Sequence, residues 1–389
     1  MFEPHSKSRT GSAAARPKAA WIGDLSGAFA DLGTFLPLVI GLLILGRFDP
    51  TGMLIGFGLF ALATGLIYRL PMPVQPMKVV AALAIAGGLS AQAMTASGIL
   101  LGLALLFLGT SGLIGRMNRL VPHTVLIGIQ LGLGLHLLLA SIDLADGTLI
   151  LGAAALGFLI LLQMTPLRPA SCLLLVSGGI AWSLVAGGAT LPPMTLAWHL
   201  PEIVMPSWAA AHEASTAVLL PQLALTLTNA VLLTSVLAAD YFPKAGARTN
   251  ARRLAFSTGA LNLALMPIGA MPMCHGASGL AAQFHQGARS GLAPIIFGSV
   301  CLTLGLLAGP TALDWLLLVP LPVVAALLAY AGLHLVQPAR FANIKPYCLV
   351  VIGLTALTSV LIDVASGLIA GLIAELIRTA ASNLRRPAA

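Results

Sequence analysis

Charge is scarce in this chain. Only 8% of its 389 residues are Asp, Glu, Lys or Arg, while 58% are hydrophobic. Soluble globular proteins carry about a quarter charged residues, so a water-soluble enzyme or scaffold is excluded and a polytopic membrane protein is indicated. Acidic residues are the scarcer sign, 12 against 20 basic ones, for a formal net charge of +8. That surplus does not describe a nucleic-acid surface, because the basic residues sit at the ends of apolar runs, where membrane topology puts them. Cysteine is too sparse for a framework. Cys172, Cys274, Cys301 and Cys348 all lie inside apolar runs and form no CxxC pair, which leaves neither a disulfide scaffold nor a zinc site. HExxH, nucleophile-elbow and phosphate-loop motifs are missing, so a membrane enzyme has no support and no cofactor is expected.

What the chain has is apolar length. A span needs about 20 apolar residues, and that ruler places TM1 at 22–46, TM2 at 51–69, TM3 at 76–90, TM4 at 96–115, TM5 at 121–141, TM6 at 147–165 and TM7 at 171–189. A polar, aromatic connector follows at 190–215. Then come TM8 at 217–239, TM9 at 252–270, TM10 at 275–288, TM11 at 291–309, TM12 at 313–335, and two short spans near 346–361 and 363–380. Residues 1–20 and 381–389 read as short tails. The 1–20 segment does not look like a cleaved signal, since the next apolar run is long and holds two aspartates.

Charge supports this count. With both ends in the cytoplasm of a plasma (inner) membrane protein, the inner loops hold Arg69, Arg116, Arg119, Arg168, Lys244, Arg248, Arg252, Arg253, Arg289, Arg340, Lys345, Arg385 and Arg386. The outer loops hold Asp49, Asp143, Asp146, Glu202, Glu213, Asp314 and Asp363, with Arg47 as the exception. The fold class expected is an all-α polytopic membrane protein of about 14 spans, with 21–189 and 216–380 as two halves. Seven spans per half is an odd number, so the second half enters upside down, as inverted repeats do in secondary transporters.

Two stretches cannot be continuous helix. Leu70-Pro71-Met72-Pro73-Val74-Gln75-Pro76-Met77-Lys78 packs three prolines into six residues. Ala270-Met271-Pro272-Met273-Cys274-His275-Gly276 is the second, and the two Met-Pro pairs stand 199 residues apart. Broken segments at matching positions of two halves point to a transporter's binding site. TM3 and TM10 are therefore expected as half-helices whose N-termini face each other near the midplane. Each N-terminus offers unpaired N–H groups and about half a positive charge, a setting for a small oxyanion. Lys78 adds a full charge, Gln75 an amide and Met77 a backbone group, while Gly276, Ala277 and Ser278 form the first turn of TM10. His275 is open between a ligand role and a cap or packing role, and Lys78 between the pocket and snorkelling to the surface. Asp31 lies two turns below Asp24 on TM1. An ionisable group at that depth is a functional candidate, and a carboxylate beside an anion must be paired, most simply with Lys78, or protonated. Thr34 on TM1 and Asn229 on TM8 would complete the pocket. Asp24 and Asp240 read as caps or ion-pair partners, and His136 and Asn262 as packing residues. Phe29 and Phe35 are the aromatic surfaces at hand, fewer than a planar base would want.

Four motifs carry a resemblance: Gly23-Asp24-Leu25-Ser26-Gly27 with Asp31-Leu32-Gly33-Thr34-Phe35-Leu36-Pro37; Pro73-Val74-Gln75-Pro76-Met77-Lys78; Ala238-Ala239-Asp240-Tyr241-Phe242-Pro243; and Met271-Pro272-Met273-Cys274-His275-Gly276-Ala277-Ser278-Gly279-Leu280. With these the chain resembles the molybdate transporters distantly related to the sulfate permeases. The resemblance implies seven plus seven inverted repeats, a core domain (TM1–4 and TM8–11) moving against a gate domain (TM5–7 and TM12–14), and molybdate, or sulfate as its analogue, as substrate. It further implies a homodimer through the gate domain. Sulfate permeases usually carry a cytoplasmic regulatory domain after the last span; few residues follow Arg378, so none is expected. A nucleobase or bicarbonate symporter of the same fold, and an anion channel, are the alternative readings.

Overall fold

The computed structural model describes residues 17–44, 49–114, 122–145, 147–167, 170–186, 188–193, 197–336, 346–362 and 364–384. Arg47, Arg116, Arg119, Asp146, Arg168, Arg340, Lys345, Asp363, Arg385 and Arg386, and most of both tails, lie outside the described residues.

The first half runs α1 (Pro17–Ala28), α2 (Leu32–Ile44), α3 (Pro50–Tyr68), β1 (Gln75–Pro76), α4 (Lys78–Ile85), α5 (Ala91–Ser111), α6 (His123–Leu144), α7 (Leu149–Gln163) and α8 (Ser171–Val185). The second runs α9 (Trp208–Ala217), α10 (Leu219–Leu225), a π-helical segment (Thr226–Leu233), α11 (Thr234–Tyr241), α12 (Ala251–Leu265), β2 (Met273–Cys274), α13 (Ala277–His285), α14 (Leu292–Ala308), α15 (Thr311–Leu317), α16 (Leu321–Val336), α17 (Pro346–Leu361) and α18 (Val364–Leu384). Among the described residues, four stretches are long and apolar enough to cross a membrane: Pro50–Tyr68, Ala91–Ser111, His123–Leu144 and Leu219–Tyr241. Shorter apolar helices pack around them.

Local chemistry sets the helix ends. Asp49 caps α3, accepting from the amides of Thr51 and Gly52, with Pro50 at the first helical position. Ser90 caps α5 through Ala93 N, and Glu213 takes both the amide and the hydroxyl of Ser90 at 2.8 Å. Asn250 caps α12 through Arg253 N. These caps shift the expected TM4 start from 96 back to Ala91.

Three expected spans are interrupted. TM1 is broken at residues 29–31 because Asp31 takes the N-cap position of a new helix, α2. Asp24 and Asp31 therefore do not share one helix face. Asp24 instead accepts from Arg289 N, Ser290 N and the Ser290 hydroxyl, joining α1 to the turn before α14. TM8 passes through eight residues of π-helix. TM12 splits at Pro320 into α15 and α16, as a residue without an amide hydrogen dictates. Residues 197–207 of the connector have no regular secondary structure and are tied by His199 N to Leu306 O and Val204 N to Pro267 O, and α9 begins at Trp208.

Glycines meet at the main helix crossings. A Cβ on Gly65 would strike Gly291 O and one on Gly298 would strike Gly58 O, where α3 and the α14 end cross. Gly102 and Gly259 stand in the same relation between α5 and α12, and Gly134 and Gly332 between α6 and α16. Small residues of this kind let backbones approach closely in membranes. At one end of this bundle sit Arg69, Arg252, Arg253 and Arg289; at the other sit Asp49 and Glu213.

Asn262, fully buried on α12, fastens β2. Its Nδ2 donates to Thr258 O and Met273 O, and its Oδ1 accepts from Met273 N. The packing role expected from sequence is here a backbone staple. Asn262→Ala leaves two buried strand groups orphaned at about 1–3 kcal/mol each. The purified variant is expected to melt well below wild type in detergent; an unchanged melting temperature contradicts the staple.

Candidate functional site

The two proline-broken stretches meet. β1 and β2 pair antiparallel, with Gln75 opposite Cys274 and Pro76 opposite Met273. Met77 N donates to Pro272 O at 2.9 Å. His275 Nδ1 lies 2.9 Å from Pro73 O. A carbonyl only accepts, so Nδ1 carries the hydrogen and Nε2 is left to other partners. That Nε2 is buried without a partner, and the ring stands edge-on to Phe60 and Tyr68. His275 thus binds strand to strand and packs on α3, and the N-cap of α13 is Gly276.

Each strand runs straight into a short helix, α4 of eight residues and α13 of nine. The antiparallel pairing sends them off in opposite directions, so two N-termini sit side by side at the strand crossing. α4 is partly filled. Val79 N donates to Gln222 Oε1 at 2.9 Å, and Gln222 Nε2 donates onward to Thr226 Oγ1. α13 is not filled. Gly276 gives no side-chain cap, and among the described residues no acceptor meets the amides of Ala277, Ser278 or Gly279.

Around these ends stand the charged and polar groups. Asp31 accepts from Gln75 Nε2 and from the Thr34 side chain, and the Lys78 charge reaches both Asp31 and Cys274. Gln75 is fully buried and its Oε1 has no partner. Residues 71–77 and 270–277 are buried throughout. By contrast Ser278 is exposed, and Asp31, Thr34, Lys78 and Asn229 are half-buried. α2 packs on α4, and α13 packs on the π-helical segment that carries Asn229. Asn229 lies within the π-helical turn, whose carbonyl at that residue accepts from Thr234 Oγ1; such turns recur at functional sites. Phe35 is turned away, packed edge-on against Phe57 and Phe297. Asp240 is exposed at the end of α11.

The structure therefore brings together Asp31, Thr34, Gln75, Met77, Lys78, Gly276, Ala277 and Ser278. Gln222 and Gly279 were not singled out from sequence as site residues. A glutamine inside an apolar run was the available signal for the first. For Gly279 the signal was its place in the first turn after Gly276. A Cβ on Gly276 would overlap the Gln75 carboxamide, and one on Gly279 would lie 2.5 Å from Asp31 Oδ2.

A family model described as molybdate transporter of MFS superfamily matches residues 23–137 and 214–335, more than half of the chain. The chain belongs to this molybdate transporter family. "Molybdate transporter 2" of Arabidopsis thaliana is 31% identical over 374 residues, covering 83% of this chain and 80% of the relative. "Molybdate transporter 1" of Chlamydomonas reinhardtii is 30% identical, covering 82% and 83%. Relatives of this kind are transporters, so the molecule is a transporter and not an enzyme. Its fold matches the transmembrane domain of the cyanobacterial bicarbonate transporter BicA, with a TM-score of 0.67 at 17% identity, covering 89% of this chain and 97% of that one. It also matches the murine Solute Carrier 26 family member A9 anion transporter in its inward-facing state, with a TM-score of 0.67 at 14% identity over 97% and 74% of the two chains. The family is described under the MFS superfamily, but the transporter's helical arrangement is that of these anion transporters.

Proposed function

We propose that the transporter is a secondary active importer of a tetrahedral dianion, molybdate first and sulfate as its analogue, held between the N-termini of α4 and α13. One observation carries this reading: among the described residues the first-turn amides of α13 have no acceptor, and Lys78 and Gln75 stand at the same crossing. Unfilled amides at a helix N-terminus are an anion site. Met77 and Gly276 shape the backbone there, while Thr34, Ser278 and Asn229 offer polar groups at the rim.

Inverted symmetry accounts for the arrangement. Gln75 and Cys274 stand 199 residues apart, the same offset as the two Met-Pro pairs, and they pair with each other, as residues on a pseudo-two-fold axis do. The glycine-lined crossings of α3 with α14 and α5 with α12 exchange under the same operation. On this reading the chain makes 14 crossings as seven plus seven, with the arginine-bearing end and both termini in the cytoplasm of the plasma membrane. A core of α1–α5 and α9–α14 moves against a gate of α6–α8 and α15–α18, and two copies pair through the gate.

Uptake into proteoliposomes tests the substrate. Molybdate uptake is expected to saturate and to be competed by tungstate and sulfate but not by uracil. Preferential uptake of uracil or bicarbonate would replace this reading with the nucleobase or bicarbonate one, and unsaturable flux would point to a channel. Asp31 is the carboxylate at the strand crossing, bonded to Gln75 and next to Gly279, so a proton entering with the dianion would be held there. Asp31→Asn is expected to flatten the pH dependence of uptake; an unaltered profile removes Asp31 from coupling.

A further inference from the structure

A groove of about 630 Å³ opens at the arginine-bearing end, between α3, α5 and the start of α12, away from the strand crossing. Its wall is apolar, built from Ile67, Phe256, Ala260 and Leu261. Ile67 and Phe256 are about half exposed, on the outer face of the bundle. Its mouth carries Arg252 and Arg253. Arg252 is fixed in place, donating from Nε to Gly109 O at 2.8 Å and from Nη2 to Thr110 O at 3.2 Å. Arg253 is exposed at the rim, and its backbone is held by Asn250 and by the Tyr68 hydroxyl. Among the described residues, no carboxylate forms a salt bridge with either arginine.

We propose that this groove binds one anionic phospholipid, with its phosphate between Arg252 and Arg253 and an acyl chain along Ile67, Phe256, Ala260 and Leu261. The volume lies in the range of small-molecule sites. The two arginines stand where the apolar perimeter gives way to the polar end, the depth of a lipid headgroup, and basic pockets between spans are lipid-headgroup sites. A soluble anion would leave the apolar wall unused, and a neutral lipid would leave the two cations without a counter-charge. Tyr68 joins the groove to the strand crossing, since its hydroxyl contacts Ser257 and Arg253 O while its ring packs on His275 at 5.7 Å.

Native mass spectrometry of the purified full-length transporter, mixed with phosphatidylglycerol or phosphatidylcholine of the same chains, tests the site. Wild type is expected to retain phosphatidylglycerol in preference, and Arg253→Gln to lose about fivefold of that preference. Arg248→Gln, exposed but off the groove, should keep it. Ala260→Trp, which fills the wall, should lower retention of both lipids without altering the melting temperature. Equal retention of the two lipids by wild type overturns the proposal. So does a loss in Arg248→Gln as large as in Arg253→Gln, which would mean attraction to net charge alone, or full displacement by inorganic phosphate, which would mean a soluble-anion site.

Discussion

Lys78→Ala is expected to abolish molybdate uptake, by about 100-fold or more, in a protein that still folds. A unit charge about 4 Å from a dianion is worth about 8 kcal/mol at an effective dielectric of 20, and water recovers only part of it when the lysine goes. Every 1.4 kcal/mol is a factor of about ten. Lys78 is the first residue of α4, half-buried, between residues 71–77 and 79–85 that are wholly buried. Stability should change little, because removing the lysine also relieves the cost of holding a cation inside the bundle. The measurement is initial uptake in proteoliposomes, with the melting temperature of the same preparation as control. Near wild-type uptake by folded Lys78→Ala would leave the strand crossing without its cation and would move the anion elsewhere. Lys78→Arg keeps the charge on a larger, planar group and should recover only part of the rate.

The two helix breaks were legible because proline is unambiguous, whereas the pairing of the strands they form was not. Three prolines around Gln75 and one at 272 forbid helix, and only a protein-covered site tolerates open backbone at that depth. The charges were legible for the same kind of reason: Asp49 and Glu213 cap helices at one end, and Arg69, Arg252 and Arg289 gather at the other. What the sequence hid were choices that only packing makes. Asp31 starts a new helix because Gln75 and Thr34 are there to share its carboxylate; a string of apolar residues on either side reads as one span. Gln222 reaches 143 residues back to fill an amide of α4, and Asp24 reaches 265 forward to Arg289. Pairings so distant have no periodic signature. His275 shows the converse. Its type suggests a ligand, yet its ring is enclosed by Phe60 and Tyr68 and its Nδ1–H is spent on Pro73 O.

Glycine at 279 separates a site from a mere helix start, and Gly279→Ala should remove uptake as completely as the loss of Lys78. The added methyl would lie 2.5 Å from Asp31 Oδ2 and 2.8 Å from both Gln75 Nε2 and Pro73 Cβ. Neither polar partner can step aside cheaply, since Gln75 is fully buried and bonded to Asp31, and Asp31 is bonded to Thr34. The methyl would also cover the first-turn amides that a dianion must reach. Gly276→Ala meets the Gln75 carboxamide in the same way, although its φ of −141° is one any residue adopts, so the damage there is steric and not backbone strain. The clash strains a buried side-chain cluster and no backbone atom, so melting should fall in a protein that still folds, while transport falls by about 100-fold, the scale set by losing two or more charge-assisted hydrogen bonds. Gly157→Ala is the matched control. It sits inside α7 with nothing near its would-be Cβ, and helix propensity predicts a gain of up to about 1 kcal/mol with unchanged uptake. If Gly279→Ala carries molybdate as fast as Gly157→Ala, the anion does not approach the end of α13 and the pocket described here is not where it binds.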